Sequence, residues 1–441
     1  MMIELTGKPR AAGRPMSRRE LLRCAGGAGL ALSAPYGAFA ADSESVLKVG
    51  FISPRTGALA GFGQTDGFVL EHIRKTLAAG LRVGEKTYKV EVIDRDTQSD
   101  PSRASQLAKT LITGDQVDLM LAVSTPETIN PVSDACEAAG VPCLSTVMPW
   151  EAWYFGRGAK PGQPSPFKWT YHFGFGVDEF YRAYISQWNS AVKTNKKVGV
   201  LYPNDADGNA IRANLAPLLA KQGFTIVDPG PYEDGTTDYS AQISLFKKEQ
   251  CEIFNTFPIP PDFAAFWRQA AQQGYTKTVK ICQVAKTGLF PSDVEALGNL
   301  GFNIASACYW HKAFPYKSSL TGVSGAELAD GYEKASGKQW TQQLGATLSL
   351  LDAGFDALKA SSDPKKKDAV VQSLARLKTT TIGGKVDFTS GPVPNVSPGP
   401  IIGSQWIKAP AGSKFKTDYV ITENATDPNV PVGAKLLPYS N

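Results

Sequence analysis

The sequence predicts an α/β protein of two doubly wound lobes, each built on a parallel sheet. Three observations carry this. Short apolar strands alternate with amphipathic helices along nearly the whole chain. The alternation breaks once, over residues 149–176, and then starts afresh. The roughly 400 residues that follow an N-terminal leader are more than one core usually supports.

The leader comes first. MSRRELLRCAGGAGLALSAPYGAFA, residues 16–40, sets Arg18 and Arg19 ahead of a weakly apolar run over 25–34 and ends in Ala38-Phe39-Ala40, an A-x-A cleavage pattern. The run is too short to span a bilayer, and Arg23 before Cys24 spoils a lipid-attachment site. Paired arginines followed by leucines resemble the signal of the twin-arginine export route. The expectation is an exported, periplasmic protein cleaved after about Ala40. Residues 1–40 hold six of the 46 Lys and Arg and two of the 41 Asp and Glu, which leaves 40 basic against 39 acidic residues and a formal charge of +1 rather than +5. That balance gives nucleic acid no electrostatic footprint.

The elements then follow in order. Residues 47–54 (LKVGFISP) form an apolar strand, with a Gly-rich turn over 56–63 and a helix to about residue 79. Residues 89–94 are the next strand. Asp100 and Pro101 supply an N-cap and a first-turn proline, and Ala104, Leu107, Ala108, Leu111 and Ile112 place one apolar stripe on the helix behind them. The third unit is LAVSTPETINPVSDACEAAGVPCLST, residues 121–146. A buried strand empties into Ser124, Thr125, Pro126, Glu127 and Thr128, a helix runs to Ala139, Gly140 stops it, and residues 141–147 are apolar again. This is a βαβ unit with parallel strands. Its polar loop stands where open α/β sheets bind ligands, at the carboxyl end of a strand beside a helix N-terminus.

Residues 149–176 carry Trp150, Trp153, Tyr154, Phe155, Trp169, Tyr171, Phe173 and Phe175 around a Pro/Gly-rich middle. The middle reads as a surface excursion; most of the aromatics belong to packing and one or two to a ligand. A second series follows. Its strands are 197–203, 224–229, 252–257 and 279–283, and its helices are 177–193, 208–223, 239–248 and 262–274. Helices resume over 325–335, 344–360 and 365–377, with short strands at 386–388, 401–408 and 419–422 and a loose tail over 428–441.

The residues also exclude chemistry. Five cysteines follow the leader, Cys136, Cys143, Cys251, Cys282 and Cys308, with no C-x-x-C spacing, and they read mostly as small buried apolar residues. His72, His172 and His311 lie far apart, so neither a zinc site nor a triad is expected. There is no G-x-S-x-G elbow, no phosphate loop and no H-E-x-x-H helix, and Gly61-Phe62-Gly63 lacks the third glycine of a dinucleotide loop. Glu127 and Asp207 could pair across a cleft as an acid and a base, but capping and surface roles are commoner for such residues. The chain is therefore read as no enzyme, an exported hydrolase being the remote alternative.

Several segments resemble the type I periplasmic solute-binding proteins of ABC importers, specifically the leucine/isoleucine/valine- and amide-binding group. KVGFISPRTGALAGFGQTDGFVLEHI is similar to that family's opening strand, loop and helix. DRDTQSDPSRASQLAKTLI, NPVSDACEAAGVPCLST and VGVLYPNDADGNAIRANLAPLLAKQGFTIV resemble later segments in the family's order. The resemblance covers nearly all of the chain after the leader. It implies two lobes joined by three crossover strands, here 46–175 plus 308–385 and 176–307 plus 386–441. A small solute would be clamped between them and delivered to a membrane permease by a monomer without cofactor, metal or nucleic acid. The alternative partner is a signalling system, since the same module serves as a sensing domain; such chains continue into a transmembrane helix.

Carried over position by position, the resemblance implies ligand contacts at Phe62, which covers the ligand, at Thr125, Glu127 and Thr128, whose other expected role is to cap the helix, and at Val147, Met148 and Pro149; Trp150 beside them is a further candidate contact because its aromatic ring suits a larger, flatter solute. From the second lobe it implies Asp207, in place of an aromatic lid residue, Phe257 and Gln283, and it sets Trp340 at the border of the cleft. Amino-acid binders of this group carry an acid just after the strand at 279–283 to hold the α-ammonium. Here the residues are Cys282, Gln283, Val284, Ala285 and Lys286. The expected solute is therefore an aromatic or extended apolar carboxylate or amide rather than a branched-chain amino acid, with the anionic end on the helix-start amides near Thr128. Glu127 argues instead for an ammonium or quaternary amine.

Overall fold

A computed structural model describes residues 46–190 and 192–439; the expected leader over 1–40 lies outside them. The strands are β1 (Val46–Ser53), β2 (Leu81–Val83), β3 (Lys86–Asp96), β4 (Leu119–Val123), β5 (Cys143–Thr146), β6 (Thr170–Gly174), β7 (Lys197–Leu201), β8 (Thr225–Val227), β9 (Ile253–Thr256), β10 (Ile281–Val284), β11 (Ile304–Cys308), β12 (Lys378–Thr381), β13 (Gly384–Asp387), β14 (Val396–Pro398), β15 (Ile402–Lys408) and β16 (Thr417–Ile421). They form two seven-stranded sheets, ordered β14-β6-β5-β4-β1-β3-β2 and β16-β15-β11-β10-β9-β7-β8, and a two-stranded ribbon β12-β13. The pairings among β1, β3, β4, β5 and β6, and among β7 to β11, are all parallel; β2 and β15–β16 add antiparallel edges.

The sequence forms these elements for local reasons. β4 is buried along its whole length, as an apolar strand with helices on both faces must be. In the helix Pro101–Thr110 the Asp100 carboxylate accepts from the Arg103 amide at 2.5 Å and Pro101 opens the first turn. The helix Pro126–Ala139 ends at Gly140, whose φ of +64° suits glycine. The helix Gln342–Ala360 is buried over almost its full length against the first sheet, which explains its lack of a polar face.

The chain passes between the lobes three times, around Phe175, Tyr309 and Gly399–Pro400. The third passage differs from the expected change at 385/386. β13 pairs with β12 and β14 joins the first sheet beside β6. Val386 is buried in the first-lobe core and Phe388 sets its ring on Tyr171 at 5.2 Å, so apolar contacts hold this segment to the first lobe. Residues 428–439 are not loose either. Val430, Leu436 and Tyr439 are buried, the Leu437 amide donates to Gln405 Oε1 at 2.8 Å and the Tyr439 amide to the Lys280 carbonyl at 2.7 Å. Of the excursion, residues 170–174 form a sheet strand, while Trp153 and Phe167 close over the Arg157 guanidinium. The five cysteines are buried and unbridged.

Candidate functional site

Each sheet reverses its strand order once, beside β1 in the first lobe and beside β7 in the second. Loops leaving the carboxyl ends of strands near these points face one another. Phe62 follows β1, Thr125 follows β4, Val147 follows β5, Asp207 follows β7, Phe257 follows β9 and Lys286 follows β10. Together they line a cavity that is partly open to solvent, with about 420 Å³ of empty space when that open part is counted, otherwise walled by apolar and aromatic residues that include Phe175, Phe180, Leu289 and Tyr309. The rings brace one another. Phe257 and Phe180 meet edge to face at 5.0 Å, and Phe175 stacks on Tyr309 at 5.5 Å.

One end of the cavity is polar, and two helix starts build it. In the helix Ala206–Lys221, Asp205 is the N-cap and accepts from the Gly208 amide at 2.6 Å. Its other oxygen takes Lys286 Nζ at 2.8 Å, and Asp207 Oδ2 takes the same ammonium at 2.9 Å. From the first lobe Glu127, in the first turn of its own helix, adds a third negative charge that acts on Lys286. Burial pulls the Lys286 ammonium down, but Asp207, Asp205 and Glu127 more than reverse this and hold it well above the usual lysine value. Burial, offset in part by Lys286 and reinforced by Asp205 and Glu127, pushes Asp207 up to about 7. One ammonium does not neutralise three acids, so this end is rich in acceptors.

Two oxygens of residues that line this end, Thr125 Oγ1 and Asp207 Oδ1, are buried without a hydrogen-bond partner, and so is Glu127 Oε1 nearby. The Thr125 atom corrects the expectation of a cap. Thr125 occupies the N-cap position, but its side chain makes no capping bond; its carbonyl accepts from the Thr128 and Ile129 amides instead. The hydroxyl is therefore free for another partner, and it lines the cavity.

The structure brings Phe62, Thr125, Val147, Asp207 and Phe257 together on the cavity wall, with Pro149. Glu127 is not on that wall but stands near enough for its charge to act on Asp207 and Lys286, and the remaining expected contacts lie elsewhere. Thr128 is buried one turn into its helix. Met148 is in the core that holds Trp153, and its carbonyl accepts from His172 Nε2 at 3.1 Å. Trp150 lies over Gly176, where a Cβ would come within 2.1 Å of its indole nitrogen, and packs on Phe155. Gln283 is fully buried and accepts from Trp188 Nε1 at 3.1 Å. Trp340 is held by Trp310 and His311, at 5.7 and 4.8 Å. Lys286, Asp205, Phe175, Phe180 and Tyr309 also stand at the site, and no expectation from the sequence places them there. Two of these were within reach, since residues at points where the chain crosses between lobes, Phe175 and Tyr309, must stand beside the cleft.

Residues 46–393 match the family pattern described as periplasmic binding protein. The chain belongs to the periplasmic binding protein family. No curated protein sequence matches it. Among solved structures, it is similar to a solute-binding protein of Rhodopseudomonas palustris BisB5 in complex with 3,4-dihydroxybenzoic acid, at 19% identity, with 87% of this chain and 99% of that one covered and a TM-score of 0.67. It is similar to the branched-chain amino acid transporter substrate-binding protein LivJ of Streptococcus pneumoniae in complex with isoleucine, at 16% identity over 86% and 99% of the two chains with a TM-score of 0.65. A benzoate complex of an R. palustris solute-binding protein aligns at 15% identity over 89% and 100%, with a TM-score of 0.64. At such identities the likeness speaks for the fold: this periplasmic binding protein has the two-lobed type I architecture. None of its described helices is long and apolar enough to cross a membrane.

Proposed function

We propose that the protein is the exported solute-binding component of an ABC importer, which captures a small organic solute between its lobes and hands it unchanged to a membrane permease. It works in the periplasm as a monomer and performs no chemistry. The solute has an aromatic or apolar body and a neutral amide-like end. The observation that carries this reading is the pairing of an apolar cavity with polar groups on its wall: the unpartnered Thr125 Oγ1 and Asp207 Oδ1, and the Lys286 ammonium that Asp207 holds through its other oxygen. A primary amide answers both needs, its carbonyl accepting from Lys286 and its N–H groups donating to Asp207 and Thr125. A carboxylate, such as those named in the R. palustris complexes, would face Asp207 and Glu127 as like charges. A second reading, an amine-bearing solute, is favoured by the unpartnered Glu127 Oε1.

The test is a thermal-shift screen across amino acids, aromatic acids, amides, amines and betaines, followed by calorimetry and recovery of the bound solute by mass spectrometry. Aromatic amides are expected to stabilise the protein more than leucine and to be recovered intact. Thr125→Ala should weaken the best of them by roughly two- to thirteen-fold, one hydrogen bond of about 0.5–1.5 kcal/mol, with little change in melting temperature because no cap is lost. Stabilisation by leucine or valine alone would overturn the amide reading, and turnover of the solute would overturn the binding one.

A further inference from the structure

Behind the cleft lies a second recess, partly open to solvent, with about 440 Å³ of empty space when that open part is counted. Its walls include residues of all three passages between the lobes: Gly174 and Phe175, Tyr309 and Trp310, Gly399 and Pro400. Val147, Phe175 and Tyr309 line both cavities. The partition is thus one stacked ring pair and one valine, and the valine is unusual. Val147 has a φ of +77°, a conformation that costs a β-branched residue energy and persists only where its surroundings enforce it. The strain sits on the wall that the two cavities share.

The hinge cavity is lined by apolar residues and glycines, by the small polar residues Thr146, Ser349 and Thr381, and, where it opens to solvent, by Lys385. Ala346 and Ser349 reach it from the helix Gln342–Ala360, and Ser349 Oγ is buried without a partner. A Cβ at Gly383 would come within 2.5 Å of that hydroxyl, so glycine there leaves it room.

We propose that the solute is elongated. Its polar end is held at Thr125, Asp207 and Lys286, and its apolar distal half passes between Val147 and the Phe175–Tyr309 pair into the hinge cavity, where a terminal hydroxyl or carbonyl meets Ser349 Oγ. This rests on the reading of the cleft as the solute site. An occupant of both cavities touches all three passages, so it fixes the angle between the lobes as well as filling the cleft.

Matched probes test it on the full chain after the leader: benzamide against biphenyl-4-carboxamide, and benzylamine against 4-phenylbenzylamine, by calorimetry. The longer member of a pair is expected to bind about tenfold tighter or more, because it buries further apolar area. Ala346→Phe fills the hinge cavity and should abolish that advantage while leaving the short probes unchanged; Ala346→Val, the milder change, should reduce it in part. Equal affinities within each pair, short probes that bind while long ones do not, or an advantage that survives Ala346→Phe in a folded variant would each overturn the extended solute alone. If none of the four probes binds, the aromatic amide and amine readings of the cleft fail, and this inference falls with them.

Discussion

Lys286 takes a left-handed backbone, φ +47°, at the start of a short 3-10 turn and points its ammonium between two carboxylates of a neighbouring helix start. A buried triad of this kind contributes little net stability while intact, but removing one partner leaves uncompensated charge. Lys286→Met is therefore expected to destabilise the protein by about 3–5 kcal/mol in urea denaturation, and a second change, Asp207→Asn, to recover part of the loss. A full-strength Lys286→Met protein would show that Asp205 and Asp207 are satisfied by something else. Asp207 also sets a pH dependence. Burial pushes its carboxyl up to about 7, and the N–H donor of the proposed solute needs the ionised form. Bound solute therefore lowers its pKa, so affinity is full above about pH 7 and falls as pH drops through that value, by up to tenfold per unit. Asp207→Asn should flatten the profile; calorimetry between pH 5.5 and 8 reads it. Little of this was legible beforehand. Asp207 stands out in the sequence only through the family resemblance, which implies a lid contact there, whereas Lys286 shows in the sequence only as the absence of an acid. Its partners lie 81 and 79 residues away in sequence, and no local pattern joins them.

The elements were legible where one physical signal dominated. The Asp100-Pro101 start, the Gly140 stop and the alternation of strand with helix are local, and the structure follows them. The short pieces near the C-terminus carry no such signal. A four-residue strand such as β13 is compatible with either sheet, and what places it is the burial of Val386 and the ring contact of Phe388 with Tyr171. The same holds for residues 428–439. Of the adjacent Leu436 and Leu437, the first is 3% exposed and the second 46% exposed; that alternation of one pair is too brief to read as an element. Because Leu436 closes the second-lobe core, Leu436→Ala should cost about 2–5 kcal/mol, while Leu437→Ala should change stability by less than about 0.5 kcal/mol. Chemical denaturation of the two variants compares them. Equal and small effects would return the segment to a loose tail.

In the whole molecule the cleft is shut by contacts that need no solute. Phe62 of the first lobe and Phe290 of the second meet edge to face at 5.1 Å, and a Cβ on Gly61 would come within 2.9 Å of the Phe290 ring. The helix Ala206–Lys221 touches the helices Pro126–Ala139 and Trp150–Tyr154 across the opening. Against these stands the repulsion of Glu127 for Asp207, which opening relieves. In the proposed clamp, closed and open forms are separated by these opposing terms, and the solute would shift the balance by binding only where both lobes reach it. Small-angle scattering should show a more open average without solute and compaction with it. Phe290→Ala removes a ring pair worth about 0.5–1.5 kcal/mol beyond its buried area, which moves the balance toward the open form by ~2- to 13-fold. The variant should start more open and close to the same final dimensions at saturating solute, with a weaker apparent affinity. If a tightly bound solute leaves the scattering unchanged in both proteins, the lobes do not clamp, and the cavity between them fills by some route that leaves the hinge at rest.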